Sequence, residues 1–398
     1  MSAEGVGQLF HEALQHASPG FALGARLAAL FPDRHLLEGE GQLSLTSFAS
    51  AGHCRIEERP GMYQQFDHGW WPELGVRRSF ANTWHEVTWR DETFDLISLE
   101  YPGGSCERQR FYVVGRDRAT TESFFAEVSR WNHEVRGEIL VFSNGCFHKD
   151  EKLYAAVQAA SFDQLVLEGS FSRQIRDDFH QFLAARATYE DARVPWRRGA
   201  LFIGPPGNGK TLCVKALVRE LAIPCLYVRS FQAQYETPQA LVESVFARAR
   251  GQAPCIMVLE DIDALLVEGS RSFFLNELDG FAENTGILTI ATTNHPERLD
   301  PSIVERPSRF DRKYHFELPS AATRAVYVAG WNERLAPALR LDHAGRVQLV
   351  ELTDGFSFAY IQEVFVAASM HWAHARPGDG LLAIALEQVA QLRAQMRS

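Results

Sequence analysis

The 398-residue sequence is poor in the features that would place it in a membrane, on nucleic acid or around a zinc ion. Its six cysteines, Cys54, Cys106, Cys146, Cys213, Cys225 and Cys255, are scattered, with no CxxC pair and no Cys/His group at zinc spacing. That argues against a metal centre or a disulfide framework built on them. Cys213, Cys225 and Cys255 fall in apolar runs and are expected to be buried, reduced thiols of a cytoplasmic protein. Long hydrophobic runs are missing too. The longest apolar stretch near the start, residues 21–31, carries Arg26 and is well short of the ~20 residues that a membrane span needs. With no signal-peptide pattern ahead of it, neither a span nor export is expected. Positive charge is also in deficit, with 40 Lys and Arg against 50 Asp and Glu. A formal charge of −10 gives no electrostatic drive toward nucleic acid or an anionic lipid surface. No internal repeat, low-complexity tract or long flexible linker occurs.

What remains is an ordinary globular composition, 46% hydrophobic and 23% charged, on a chain long enough for two or three units with cores of their own. Residues 5–31 read as helix interrupted at Pro19-Gly20. Residues 32–80 read as irregular and Gly-rich, with Trp70-Trp71 as packing aromatics. Two strand-like runs, 84–101 and 108–114, flank the turn Pro102-Gly103-Gly104. A helix over 121–135, a strand over 138–142 and a helix over 150–160 complete a mixed α/β N-terminal domain, residues 1–160. From about Phe162 short apolar runs at 201–203, Cys225–Val228, Cys255–Leu259 and 287–291 alternate with helical stretches. Continuous apolar runs of that length are how buried parallel strands read, and they predict a doubly wound sheet over residues 161–319. Residues 320–398 read as helical throughout, a small lid. The fold class is therefore α/β, a doubly wound parallel-sheet core with a C-terminal helical lid and a mixed α/β N-terminal domain.

The core carries the chemistry. Leu201-Phe202-Ile203-Gly204-Pro205-Pro206-Gly207-Asn208-Gly209-Lys210-Thr211 matches GxxxxGK[ST] between an expected strand and an expected helix. Its glycines let the backbone turn its N–H groups, with those of the helix N-terminus, toward phosphate oxygens. Gly204, Pro205, Pro206, Gly207, Asn208, Gly209, Lys210, Thr211 and Leu212 are the expected nucleotide contacts. Lys210 would reach the β- and γ-phosphates, and Thr211 would hold Mg²⁺. Cys255-Ile256-Met257-Val258-Leu259-Glu260-Asp261-Ile262-Asp263 is an apolar strand ending in carboxylates, and reads as a Walker B element. One carboxylate at such a tip orients the Mg²⁺ shell and the next polarises the attacking water. The usual order is Asp then Glu; here position assigns Glu260 to the metal and Asp261 to the water. The alternative is a pair of helix-capping carboxylates. Thr292-Thr293-Asn294 ends the next strand, where Asn294 can position that water. Arg306 and Arg309 follow, and a planar guanidinium suits charge developing on a transferred phosphoryl group. Their alternative is an intramolecular salt bridge to Asp311 or Glu305.

Taken together, GPPGNGKT, LEDID, LNELDG, TTNHPERLDPSIVERPSRFDRK and DGFSFAYIQEV resemble the AAA ATPases over about residues 162–375, in that family's order and spacing. The swapped LEDID, the VPWRRG before the loop and TTNH resemble the Bcs-type branch, whose mitochondrial members translocate a folded Rieske protein. The resemblance implies ATP and Mg²⁺ as cofactors. It assigns Lys210 and Thr211 to Walker A, Glu260 and Asp261 to Walker B, and Asn294 to sensor 1. Arg306 and Arg309 become arginine fingers acting on a neighbour, and Asp279-Gly280-Phe281 the intersubunit signalling segment. It further implies a homo-oligomeric ring of six or seven copies acting on a protein client of unknown identity. Two departures stand out. The lid has Gly355-Phe356-Ser357-Phe358-Ala359 where many relatives carry a small Gly-Ala pair, so that Phe358 is expected to reshape the sensor 2 region, and residues 230–240 lack an aromatic–hydrophobic–Gly pore loop. Phe231 reads as core, Pro238 as the first turn of a helix capped by Thr237, and Tyr235 as an ordinary loop residue. Two other functions compete with a protein-remodelling ATPase: a nucleotide-gated assembly module with little turnover, and a DNA-processing motor. The acidic balance disfavours the motor, so no nucleic-acid partner is expected.

Overall fold

The computed structural model describes the chain except for residues 1–2, 41–42, 44, 59–64, 72–74, 104–105, 134–137, 280–283, 307, 376–379 and 397–398. The chain divides into two compact units, one of residues 1–136 with 234–236 and one of residues 137–233 and 237–398.

In the first unit α1 (Ala3–Leu14) and α2 (Pro19–Leu30) precede β1 (His35–Glu40), α3 (Leu45–Ser50) and β2 (Arg55–Glu58). After them come β3 (Gln65–Trp71), β4 (Gly75–Trp89), β5 (Glu92–Gly103), β6 (Cys106–Gly115) and α4 (Arg118–His133). The antiparallel sheet runs β1-β6-β5-β4-β2, with β3 also paired to β4. Alternation along its strands feeds two cores. Trp84, Ile97, Leu99, Tyr112 and Val114 pack with α1 and α2, whereas Val87, Phe94, Leu96 and Val113 pack with α3 and α4. Residues 32–80, expected to be irregular, hold β1, β2, β3, the start of β4 and a short helix among the described residues. Their pattern is set by pairing with distant partners, as in β1 against β6 from His35↔Gly115 to Glu40↔Arg110. The single run expected over 84–101 is a hairpin instead, turning at Arg90 with φ of 54°. Trp70 and Trp71 lie in β3, and their side chains are outside the described residues, as is Gly104.

The second unit begins with β7 (Ile139–Ser143), β8 (Cys146–Asp150), α5 (Glu151–Gln158), α6 (Phe171–Ala184) and α7 (Arg186–Asp191). The core then alternates β9 (Arg198–Ile203), α8 (Lys210–Leu221), β10 (Cys225–Val228), α9 (Pro238–Gly251) and β11 (Cys255–Leu259). Next come α10 (Ile262–Leu265), α11 (Glu268–Asp279), β12 (Ile287–Thr293), α12 (Pro301–Val304) and β13 (Arg312–His315). The sheet order is β13-β9-β12-β11-β10-β7-β8, parallel except for β8 on the edge. Strands β9, β11 and β12 are buried at every residue, as strands covered on both faces must be. One face packs against α9 and α11, the other against α5, α6 and α8. Cys213, Cys225 and Cys255 are buried free thiols in these cores.

The expected domain boundary at residue 160 moves to 136–137. The reason is a pairing the local pattern does not carry: β7 lies parallel beside β10, Leu226 opposite Leu140, so residues 139–158 belong to the second unit. The lid comprises α13 (Ala321–Arg334), α14 (His343–Leu352), α15 (Phe358–Ala375) and α16 (Gly380–Gln395), around Val328, Leu349, Ile361, Val364 and Phe365. Ser320 and Asp342 cap its first two helices through Thr323 N and Gly345 N, satisfying amides that a helix start leaves unpaired. Phe358 is buried against Tyr327 within the lid, with ring centroids 4.8 Å apart.

Candidate active site

The loop between β9 and α8 lies at the carboxyl ends of the parallel strands, where open α/β sheets place ligands. Two glycines shape it. Gly204 has φ of +151°, and a Cβ there would come within 2.1 Å of Phe316 O. Gly207 has φ of +78°, and a Cβ would meet the Cβ of Ala359 at 2.6 Å. The loop is thus pressed against the start of α15, whose Ala359 N donates to Gly207 O at 3.1 Å. Pro205, Pro206 and Thr211 are exposed, while Asn208 is buried and neither polar atom of its amide has a partner among the described residues. Gly209 precedes the first turn of α8 and Leu212 is half-buried within it.

Lys210 curls back under the loop. The residue is only 6% exposed, and its ammonium donates to Gly204 O at 2.6 Å and Pro205 O at 2.9 Å. Burial lowers its pKa, opposed by the charges of Asp261, Asp263 and Glu260. A lysine held by backbone carbonyls keeps no full counter-charge, and phosphate oxygens would supply one.

The carboxylates come from β11 and the turn after it. Glu260 follows Ile256 and Val258 at period two, which points it to the face covered by α8. Its Oε2 accepts from Tyr227 Oη, while its Oε1 is buried and has no hydrogen-bond partner among the described residues. Leaving a buried carboxylate oxygen unpaired costs about 1–3 kcal/mol, so this atom has a use for a cation or its water shell. Asp261 breaks the alternation with a left-handed backbone, φ 49° and ψ 55°. Its amide donates to Thr292 Oγ1 at 3.0 Å, and its Oδ1 accepts from Asn294 Nδ2 at 2.9 Å. Its carboxyl pKa is raised by burial first, then by Asp263 and Glu260, with Lys210 and His295 opposing. Asp263, which sequence reasoning left without a role, accepts from Thr293 Oγ1 at 2.6 Å and so ties the turn to β12.

The two arginines part company. Arg309 is 6% exposed; its Nε and Nη2 reach the two oxygens of Asp279 at 2.9 and 2.6 Å, and its Nη1 donates to Ser302 O at 2.6 Å. Arg306 has a side chain 62% exposed and touches Asp279 only at 3.5 Å. The salt-bridge partner is thus Asp279 rather than Asp311 or Glu305. Asp311 serves Gly199 N and Arg198. Asp279's carboxyl lies below the usual range, first through its bonds to Arg309. Gly280 and Phe281, expected beside it in the signalling segment, lie outside the described residues, as does Pro307. A separate cleft of about 340 Å³, lined by Arg197, Gly199, Thr289, Arg309 and Asp311, sits at the amino ends of β9 and β12, away from the loop.

Residues 200–318 match the family model "ATPase family associated with various cellular activities (AAA)". The chain carries an AAA ATPase domain. It is 37% identical over 217 residues to the ATP-dependent zinc metalloprotease FtsH of Acidothermus cellulolyticus, covering 50% of this chain and 32% of that protein. It is 34% identical over 211 residues to the mouse mitochondrial inner membrane m-AAA protease component AFG3L2, covering 48% and 26% respectively. A putative 26S proteasome regulatory subunit homolog of Methanocaldococcus jannaschii is 33% identical over 190 residues, 44% of this chain and 50% of that one. The chain therefore spans half or less of the length of these relatives. No helix among its described residues is long and apolar enough to cross a membrane.

Within this AAA domain the structure gathers Lys210, Glu260, Asp261 and Asn294 at the ends of three adjacent strands, while Arg306 and Arg309 sit on the segment before β13. Magnesium is ordinarily held by one or two protein groups plus phosphate and water. The Thr211 hydroxyl and the unpartnered Glu260 Oε1 meet that requirement. Tyr227, which bonds Glu260, is a second residue of this group, besides Asp263, that sequence reasoning left without a role. Its signal, a tyrosine one place short of the end of an apolar strand, becomes readable only once β10 is known to lie beside β11.

Proposed function

We propose that this chain is a Mg²⁺-dependent ATP hydrolase whose copies assemble into a ring, of six or seven subunits, that moves or remodels a protein partner. The observation that carries the proposal is the 2.9 Å bond from Asn294 to Asp261, which aims a carboxylate on one strand end by an amide on the next. In this reading the loop amides and Lys210 bind the β- and γ-phosphates, and Thr211 and Glu260 hold the ion. Mg²⁺, when bound, neutralises charge on the phosphate oxygens. Asp261 accepts the proton of the attacking water and Asn294 holds that water in line. Arg306, exposed and weakly paired, extends to the γ-phosphate of a neighbouring copy.

The swapped Glu260-Asp261 order and the absence of a pore-loop pattern in residues 230–240 support a Bcs-type machine that handles a folded partner. Phe231 is wholly buried and Thr237 caps α9 at Ala240 N, which leaves Tyr235 as that stretch's exposed aromatic. A cytoplasmic site of action and an N-terminal unit that holds the client complete the reading. Asp261→Asn tests it: the variant keeps ATP affinity and loses hydrolysis by about 10²–10⁴-fold. Unchanged turnover refutes the assignment, and the same phenotype in Glu260→Gln alone reverses the two roles. Tight ATP binding with negligible turnover in the unaltered protein would instead favour a nucleotide-gated assembly module.

A further inference from the structure

Strands β10 and β11 run parallel with Tyr227 opposite Val258, so Tyr227 lies beside the last residues of the strand that delivers Glu260. Both residues belong to the same face of the sheet. Cys225 precedes Tyr227 at period two, as Ile256 and Val258 precede Glu260, and all three pack in the core beneath α8. The phenol spans the gap between the strands and donates to Glu260 Oε2. Glu260 Oε1 is left buried and unpartnered among the described residues. Asp261, the next residue, is tethered from the opposite side by Asn294 at the end of β12. Two adjacent carboxylates are therefore held apart by different neighbouring strands.

We propose that Tyr227 is a positioning residue that clamps Glu260 by one oxygen so that the other faces the metal position; the inference rests on the ATPase reading above and deepens it. The reason for a clamp is mechanical. A glutamate places its carboxylate through three side-chain torsions, one more than an aspartate, and an unrestrained arm would sample several rotamers at a strand end. The phenol removes that freedom at one oxygen without competing for the second. The phenol is suited to the task because an ordinary tyrosine hydroxyl is protonated near neutral pH and can donate to a carboxylate oxygen. The other charged groups near it are Arg229, 5.8 Å from the ring centroid and itself bonded to Asp150, and Asp261. The link to Glu260 is the phenol's described hydrogen bond.

The test is Tyr227→Phe, which keeps the ring and removes only the hydroxyl. The affinity of a fluorescent ATP analogue is measured in EDTA and again with excess Mn²⁺, and the ratio of the two gives the metal's contribution. The expected result is a ratio reduced about tenfold or more, the usual effect of losing an outer-shell partner, with the affinity in EDTA unchanged. Hydrolysis should need correspondingly more Mg²⁺ and recover in part when Mg²⁺ is saturating. In a Glu260→Asp background the shorter arm no longer reaches the phenol, and Tyr227→Phe should then change nothing further. A ratio within twofold of the unaltered protein overturns the inference. So does an equal loss in EDTA, which would mark a merely structural tyrosine, or an undiminished effect in the Glu260→Asp background. If the unaltered protein gains no affinity from Mn²⁺ at all, the ATPase reading itself falls and the clamp with it.

Discussion

Removing Arg309 and removing Arg306 should produce opposite phenotypes, although the two residues are three positions apart. Arg309 is buried, its guanidinium meets both oxygens of Asp279, and a third bond goes to Ser302 O. Breaking a fully buried ion pair by deleting one partner costs about 3–5 kcal/mol. Asp279's side chain is 35% exposed, so water recovers part of that charge and about 2–3 kcal/mol is the better figure here. At roughly 2–4 °C per kcal/mol for a unit of this size, Arg309→Ala should melt about 5–10 °C lower by calorimetry. Arg306 makes a single exposed contact at 3.5 Å, worth about 0–1 kcal/mol, so Arg306→Ala should melt almost normally. If Arg306 is the finger, that variant should nonetheless lose hydrolysis by about 10³-fold or more. Mixing it with Asp261→Asn chains should restore some activity, in a concentration-dependent way, through interfaces that pair an intact site with an intact finger. An Arg309→Ala protein that melts normally but does not hydrolyse ATP, beside an active Arg306→Ala, would refute this division of labour. Mixed rings that form without any recovery would refute fingers in trans.

Lys210→Ala should abolish most ATP affinity by titration calorimetry while the circular dichroism spectrum is retained; near-normal binding would remove the phosphate-loop assignment. Gly204→Ala adds a Cβ 2.1 Å from Phe316 O at a φ of +151°, so it should lower both the melting temperature and nucleotide affinity. An unchanged melt would mean that the loop relaxes freely and that its geometry is not the reason for glycine. Tyr235 is 66% exposed, so its replacement by alanine should change stability by no more than about 0.5 kcal/mol and leave basal ATPase within about twofold. The protein should also fail to unfold a tagged green fluorescent substrate. ATP-dependent loss of that fluorescence, abolished in Tyr235→Ala, would make this a threading enzyme.

Much of the second unit was legible because its strands announce themselves. Cys225–Val228 and Cys255–Leu259 are found where the apolar runs placed them, and the other two runs lie inside β9 and β12. A strand buried on both faces needs no partner to be recognised, only continuous hydrophobicity. The first unit was read less well, since β1, β2 and β3 are short and largely polar and owe their existence to the strands they pair with. The hairpin turn at Arg90-Asp91 carries no glycine or proline to betray it, although a residue at φ of 54° sits there.

At the site the division is similar. A loop that must bring backbone amides to phosphate leaves its constraint in the sequence, because only glycine tolerates the approach of Phe316 O and of Ala359. The carboxylates at the end of β11 and the asparagine at the end of β12 are likewise fixed by strand geometry, so their convergence followed from the motif order. What the tertiary structure alone decided is which groups stand ready and which are spent. Arg306 and Arg309 are the same residue type in one short motif, yet packing sinks one onto Asp279 and leaves the other in solvent. Glu260 and Asp261 are adjacent in the chain, but the first is bonded by Tyr227 of β10 and the second by Asn294 beyond β12. Charge, length and spacing are local properties that a sequence records. The neighbour across a strand, which sets burial and pairing, is not.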